Sequence, residues 1–360
     1  MAENANQSNK QGYTLPLKVL VDKEKNKVVF AEAGKDFVDV LLSFLTLPMG
    51  TIARLVAKDS NLQPIKVGSL SSLYESVSNL QEKHLRTPTC KEMLLQPRNS
   101  MEAYCQQLKL NIDDTEPMKY FICDSWGCVR KERGNLLSTF KNKKCHCGKP
   151  MDREISLEER TSEDGFVKET ASFIICDDLR VMPNSLGTSV DLFHELGAKN
   201  MEAIEERTVE IGNKEVQDLL KCSFLSKTPL TDFILNKKQF LYVYTKHQSQ
   251  FEIGEVSSDV IRQMVLKVLI RKSDRKILFV EGQEDFADFI FSFLTLPLGG
   301  VLHMLGGFSS YSCLDKLYKS VTELCPYRYL MSPSLKHMLV IPQCAPQLGI
   351  YNQILQIGEA

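Results

Sequence analysis

The chain has 360 residues, of which 43% are hydrophobic and 25% are charged, a composition typical of folded globular proteins. This length exceeds that of one ordinary compact core and predicts two or three structural units. The formal net charge of −1 excludes a global attraction to nucleic acid or to anionic membranes, so such a partner would need a local charged patch.

Residues 1–14 are polar and lack the apolar core of a secretory signal, which predicts a disordered tail. We therefore expect a cytoplasmic protein, with the nucleus as the alternative, whose eleven cysteines are reduced rather than paired in disulfides. Residues 289–314 contain no Asp, Glu, Lys or Arg, but Pro297 and two glycine pairs interrupt them. We expect no membrane span there.

The first predicted elements form a hairpin and a buried helix. Two apolar, β-branched runs flank the charged stretch Lys23–Asn26, which predicts a β-hairpin with its turn at these residues. Asp36 and Asp39 follow where carboxylates favour the start of a helix. Pro48 is expected to end or kink that helix.

Two further helical segments are expected before the cysteine-rich region. Residues 70–80 carry apolar side chains at helical spacing and predict an amphipathic helix. A proline-bounded segment over 88–97 follows it.

A cysteine cluster lies within residues 118–152, which we interpret as a zinc-ribbon-like hairpin. Cys123, Cys128, Cys145 and Cys147 follow the pattern Cys-x4-Cys, sixteen residues, then Cys-x-Cys-Gly. Two close pairs of thiolates can surround a tetrahedral zinc ion, and four of them close its coordination shell. Free thiols, a redox pair and an iron–sulfur site are the alternatives, and His146 can replace one sulfur.

The same hairpin is basic. Residues 130–149 contain seven Lys or Arg and one Glu, and Trp126 and Phe140 lie nearby. Phosphate contacts combined with aromatic stacking would suit a nucleic acid. The alternative is a solvated zinc hairpin whose lysines offset the charge of the thiolates, and we favour it because the chain supplies no extended basic groove.

Residues 171–236 predict a strand and helix segment without an evident catalytic site. Asp177 and Asp178 end a strand-like run, where an acid can serve catalysis but is also common in turns. His194 and Glu195 lie on a predicted helix that lacks the second histidine of a helical zinc motif. No phosphate-binding loop, dinucleotide fingerprint or nucleophile elbow is present. Enzymatic activity is left open, with a non-enzymatic role favoured.

An internal repeat organises the whole chain. When residues 17–56 are aligned with residues 266–305, 18 of 40 positions are identical, and the phrase SFLTLPMG recurs as SFLTLPLG. We predict an α+β fold of two related hairpin-plus-helices modules. The first copy covers 15–236, a connection covers 237–260, and a truncated second copy without the cysteine insertion covers 261–360.

Three stretches resemble a known family. The lines LKVLVDKEKNKVVFAEAGKDFVDVLLSFLTLPMG, PRNSMEAYCQQLKLNIDDTEP and CHCGKPMDREI are similar to a plant family catalogued as domain of unknown function 674. The resemblance covers nearly all of residues 15–349 and implies a plant intracellular protein with tandem copies and a cysteine-containing insert. It implies no activity and no catalytic residues.

These observations lead to one expectation and two alternatives. We expect a non-enzymatic protein-interaction or scaffold protein with one structural zinc site, an unidentified protein partner and no membrane association. The first alternative is nucleic-acid binding through residues 130–149, and the weaker one is an enzyme centred on Asp177 and Asp178.

Overall fold

The computed structural model describes residues 13–85, 88–116, 119–125, 128, 138, 141, 143–155, 165–185, 187–188, 192, 201–235, 264–309 and 311–345. Several predictions fall outside these residues. They are the tail before residue 13, Trp126, Phe140, most of the basic stretch 130–149, the pair His194 and Glu195, and the connection 237–260.

The described residues contain both strands and helices, which confirms the α+β class. The strands are β1 (Leu15–Asp22), β2 (Lys27–Ala33), β3 (Tyr120–Cys123), β4 (Lys143–Lys144), β5 (Pro150–Ile155), β6 (Phe173–Cys176), β7 (Val181–Pro183), β8 (Ile204–Ile211), β9 (Lys267–Ile270) and β10 (Ile277–Glu281). The helices are α1 (Lys35–Ser43), α2 (Met49–Val56), α3 (Gly68–Asn79), α4 (Pro88–Leu95), α5 (Glu102–Cys105), α6 (Asn213–Leu225), α7 (Pro229–Leu235), α8 (Glu284–Ser292), α9 (Leu298–Met304), α10 (Ser312–Glu323), α11 (Pro326–Tyr329) and α12 (Pro333–Val340).

The first hairpin lies at the centre of the main sheet. β1 and β2 pair antiparallel around a turn in which Asn26 adopts a φ of 47°, a conformation that asparagine tolerates well. β6 adds to the free edge of β2 and β8 adds to that of β1, which gives the order β7-β6-β2-β1-β8. β6 and β8 therefore cover both edges of the hairpin.

The helix after the hairpin is shorter than the sequence predicts. α1 ends at Ser43, a single 3₁₀ turn covers Phe44–Thr46, and a second helix begins at Met49. Pro48 precedes this helix with a φ of −62°, and a proline fits there because the first N–H groups of a helix have no intrahelical partner. The proline thus separates two helices.

The second half has the same succession of elements. β9 and β10 form a hairpin, and α8, a 3₁₀ turn at Phe293–Thr295, α9 and α10 follow in the order seen for α1, Phe44–Thr46, α2 and α3. In contrast to the first hairpin, β9 and β10 form a separate two-stranded sheet.

One hydrophobic core joins the two halves. Phe44 and Leu45 of the first half belong to the same buried cluster as Leu298, Leu314 and Leu335 of the second half. The segment between the halves contributes to the same contact, since the backbone N–H of Val181 donates to Ser320 Oγ at 2.9 Å. The halves are therefore packed as one body.

The two repeated phrases contact each other directly. Met49 N–H donates to the carbonyl oxygen of Leu296, and Leu298 N–H donates to that of Leu47, both at 2.9 Å. Pro48 and Pro297 form the antiparallel bridge between these reciprocal hydrogen bonds. Across the described ranges, no helix is both long enough and apolar enough to cross a membrane.

Candidate metal centre

The cysteines are positioned by a small sheet of their own, in the order β3-β5-β4. Cys123 is the last residue of β3, and Cys145 follows directly after β4. Phe121 and Met151 pack with these two cysteines into a buried cluster that is separate from the main core. Among the described residues this cluster is small, so its apolar burial contributes little stability.

Two tight turns present the remaining sulfurs. Cys128 N–H donates to the Ser125 carbonyl oxygen at 2.8 Å, which folds the chain back after β3. In the second turn, Gly148 N–H donates to the Cys145 carbonyl oxygen at 2.8 Å. Gly148 has a φ of 83°, in the left-handed region that glycine adopts without strain. This requirement explains the glycine that follows the Cys-x-Cys pair.

The four sulfurs converge on one point. Cys123 Sγ lies 3.5 Å from Cys147 Sγ, and Cys145 Sγ lies 3.8 Å from Cys128 Sγ. All four sulfurs lie within 4.8 Å of one another. Sulfurs around a tetrahedral zinc ion at about 2.3 Å would be roughly 3.8 Å apart. The structure thus brings together the four cysteines predicted from the sequence, in an arrangement that can hold a metal ion.

The thiols of the cluster differ in acidity. A hydrogen bond from the Lys149 backbone N–H, together with contacts to the neighbouring thiols, lowers the pKa of Cys147 to about 7. The contact with Cys147, followed by that with Cys145, raises the pKa of Cys128 to about 12. Cys147 therefore ionises more readily than Cys128, and a bound cation would favour the thiolate form of the cysteines that hold it.

The four side chains that converge are all cysteines. His146 lies between two of them but is solvent-exposed and is not part of the converging group. Among the residues that the structure describes, this group alone brings three or more His, Cys, Asp or Glu side chains close enough to hold a metal ion.

Asp177 occupies a structural position. It is buried, and its two carboxylate oxygens accept hydrogen bonds of 2.8 Å from the backbone N–H and the hydroxyl of Thr231. The same hydroxyl accepts a hydrogen bond from the N–H of Val28, so Thr231 of α7 connects Asp177 to β2. Burial raises the pKa of Asp177, and the hydrogen bonds from Thr231 oppose that shift.

Asp178 faces a different partner. Burial alone would raise its pKa, but hydrogen bonds from the side chain of Lys316 and the backbone N–H of Arg180 lower it overall. Lys316 belongs to α10, so the ion pair connects the second half to the end of β6. The two adjacent acids are therefore used in contacts between elements.

A buried lysine was not identified from the sequence. Lys221 is fully buried in α6, and its Nζ donates to the carbonyl oxygens of Lys58 and Leu62 at 2.7 and 3.0 Å. It also donates to Ser60 Oγ, which in turn donates to Asp218. The signal in the sequence is a lysine directly after the apolar pair Leu219–Leu220 of an amphipathic helix. Burial lowers the pKa of Lys221.

A second buried ionic group joins the first helix to the second half. Asp39 Oδ2 accepts a 2.6 Å hydrogen bond from Lys35 Nζ. Its Oδ1 accepts hydrogen bonds from the backbone N–H groups of Phe166 and Val167. The carbonyl oxygen of Phe166 then accepts the N–H of Met331. The sequence placed Asp39 at the start of a helix. In the structure its carboxylate also holds Phe166 and Val167, which lie between the first helix and the second half.

No curated protein and no solved structure matches the chain. The family described as protein of unknown function (DUF674) matches residues 11–360, a range that includes the four converging cysteines and both hairpins. The chain therefore belongs to the DUF674 family.

Proposed function

We propose that the chain is a non-enzymatic protein-interaction protein in which a structural zinc ion stabilises the zinc-ribbon-like hairpin. The ligands would be Cys123, Cys128, Cys145 and Cys147. The observation that carries this proposal is the convergence of four sulfurs within 4.8 Å at the end of one small sheet.

The donor set favours zinc in a structural role. Four thiolates suit zinc or an iron–sulfur cluster, and they leave no open coordination position for a substrate. Among the described residues, the buried cluster of the module consists of Phe121, Cys123, Cys145 and Met151, so metal binding would supply folding free energy beyond that of this cluster.

The contacts of the candidate acids support a role without catalysis. Asp177 and Asp178 are hydrogen-bonded to Thr231 and Lys316, and these bonds hold elements together. Exposed apolar side chains in the second half, among them Ile277, Phe279 and Phe308, support a role in protein contacts.

A duplication explains the arrangement of the two halves. The same succession of elements and the reciprocal hydrogen bonds of Met49 and Leu298 support the origin of both modules from one ancestral unit. In this interpretation the cysteine insertion and the segment after it belong to the first module alone.

Nucleic-acid binding is the second candidate function. Lys144 and Lys149 are exposed beside the cysteine cluster, where a basic surface could meet phosphates. Retention of the protein on RNA or DNA at low salt, lost when both lysines are replaced by glutamate, would favour this function over the first. Absence of retention at low salt would exclude it.

Metal analysis of the purified protein tests the zinc site. We expect about one zinc per chain, and substantial loss of zinc in the Cys145→Ser and Cys147→Ser variants. Cys325→Ser, which removes an exposed thiol outside the cluster, is the matched control and should retain the metal. Protein purified under reducing conditions without bound metal, and unable to take up added zinc, would contradict the proposal.

A further inference from the structure

The second hairpin differs from the first in its surroundings. β1 and β2 lie between β6 and β8, whereas β9 and β10 pair with each other and with no other strand in the described part of the chain. Both outer edges of this hairpin therefore carry backbone N–H and C=O groups without a strand partner. Such edges are sites at which another strand can add.

Equivalent positions of the two hairpins show how much apolar surface is exposed in the second one. Phe30 of β2 is 1% exposed, and the equivalent Phe279 of β10 is 49% exposed. Val28 is 1% exposed, and the equivalent Ile277 is 63% exposed. The first hairpin thus shows that this sequence pattern is suited to burial, because nearly the same residues are covered there by neighbouring elements.

The difference extends to the helix that follows. In the first half, Gln217 of α6 donates to the Leu55 carbonyl oxygen at 2.6 Å, and Leu55 is 3% exposed. The equivalent Met304 is 43% exposed, and no counterpart of α6 covers it among the described residues. The exposed hairpin and the end of α9 therefore lack the cover that β6, β8 and α6 give to the first half.

The charges along β10 indicate which partner fits its free edge. This strand begins beside the basic residues Arg275 and Lys276 and ends at Glu281, close to Glu284 and Asp285 at the start of α8. When two identical strands pair antiparallel around a two-fold axis, the basic end of each faces the acidic end of the other. β10 is therefore complementary in charge to a second copy of itself.

The edge formed by β9 does not have this property. Lys267 begins β9 and Arg271 follows its last residue; both are basic, and each forms an ion pair within the hairpin, with Glu281 and Asp274. Antiparallel pairing of two β9 strands would bring like charges together, which destabilises cross-strand contacts. The charges thus distinguish between the two free edges and favour β10.

We propose that the second hairpin is a homodimerisation surface, in which β10 of one chain pairs antiparallel with β10 of a second copy. The two hairpins then form one four-stranded sheet in the order β9-β10-β10-β9 and share their exposed apolar side chains. This inference rests on the protein-interaction role proposed above and identifies the partner as another copy of the chain.

Two charge-reversal variants, measured alone and mixed with each other, test this arrangement. The wild-type protein should show twice the 40.9 kDa mass of the chain in sedimentation velocity or light scattering at micromolar concentration. Lys276→Glu and Glu281→Lys should each weaken the dimer by more than about tenfold, because each places like charges at both ends of the paired strands. An equimolar mixture of the two variants should restore the dimer, since the opposite charges then face each other.

Controls separate this result from a general loss of structure. Lys319→Glu reverses an exposed charge on α10, outside the hairpin, and should leave the dimer intact. Thermal unfolding of each variant identifies any loss of folding. A wild-type monomer at every concentration, or a dimer unaffected by both hairpin variants, would overturn the proposal. Zinc content, measured on the same samples, reports separately on the metal site.

Discussion

Gly50 and Gly299 lie against each other's half of the molecule in matched surroundings. A methyl group on Gly50 would lie 3.0 Å from the Leu294 carbonyl oxygen, and one on Gly299 would lie 3.0 Å from that of Leu45. Each would also approach a proline ring of its own half, Pro97 or Pro342, within 3.0 Å. The repeated phrase therefore encodes the close contact between the two halves, and glycine is required because backbone atoms occupy the space of a side chain.

Replacing either glycine by alanine should destabilise the protein. Gly50→Ala and Gly299→Ala each force backbone carbonyls to move, and we expect each to lower the free energy of unfolding by about 1–3 kcal/mol, as overpacking does elsewhere. Urea denaturation measures this change. Gly34→Ala is the matched control because a methyl group there meets no atom within 4 Å. If the two interface variants were as stable as this control, the packing described for the repeated phrases would be wrong.

The double variant adds a test of reciprocity. Both glycines contact the same interface, so the displacement that accommodates the first methyl group also opens space for the second. We expect Gly50→Ala combined with Gly299→Ala to cost less than the sum of the two single changes. Strict additivity would indicate that the two contacts are independent.

Removal of metal should unfold the cysteine module selectively. Since its buried cluster is small among the described residues, we expect the three-stranded sheet around Cys123 and Cys145 to depend on a bound ion. A chelator should raise amide hydrogen exchange in β3 and β5 by at least about tenfold and leave β1 and β2 nearly unchanged. Protection of β3 and β5 that survives complete loss of metal would show that the ion has no structural role.

The sequence predicted local features well. The charged stretch Lys23–Asn26 marked the first hairpin turn, and the spacing of the cysteines marked the residues that converge. Both signals depend on neighbours in the chain, because turn chemistry and ligand spacing are local properties. The order of strands in the main sheet could not be obtained in this way.

Contacts between distant residues explain what the sequence did not predict. β8 pairs with β1 although Leu15 and its partner Ile211 lie 196 positions apart, and hydrophobic periodicity does not specify a partner. The sequence favoured a turn residue over a catalytic acid at Asp177 but named no partner for it, and the contact with Thr231 lies 54 residues away in the chain. The exposure of the second hairpin could likewise not be predicted from the sequence, because its residues resemble those of the buried first hairpin.

Asp39 should make stability depend on pH in an unusual direction. Burial raises its pKa to about 6 from 3.8, and the hydrogen bonds from Lys35, Val167 and Phe166 reduce this shift. Because the folded state then binds the proton more tightly than the unfolded state, the contribution of Asp39 to stability increases as the pH falls from above 6 to below 4. A shift of about two pKa units corresponds to roughly 3 kcal/mol at most.

Comparison with Asp39→Asn isolates this contribution. Between pH 7 and pH 4, the free energy of unfolding of the wild type should rise relative to that of the variant. Asp36→Asn removes a carboxylate of the same helix outside the buried group and serves as the control. A difference between wild type and Asp39→Asn that stays constant over this pH range would show that Asp39 has no raised pKa.

Replacement of Lys221 should strongly lower the free energy of unfolding. Lys221→Met keeps the length of the side chain but removes the donor to Lys58, Ser60 and Leu62, and it leaves the buried carboxylate of Asp218 without its nearby positive charge. Because unpaired buried polar groups and charges are costly, we expect a loss of about 3 kcal/mol in the free energy of unfolding. Lys214→Met, at an exposed position of the same helix, should change stability by less than about 0.5 kcal/mol. Equal stability of the two variants in urea denaturation would contradict the role of Lys221 as the anchor of residues 58–63.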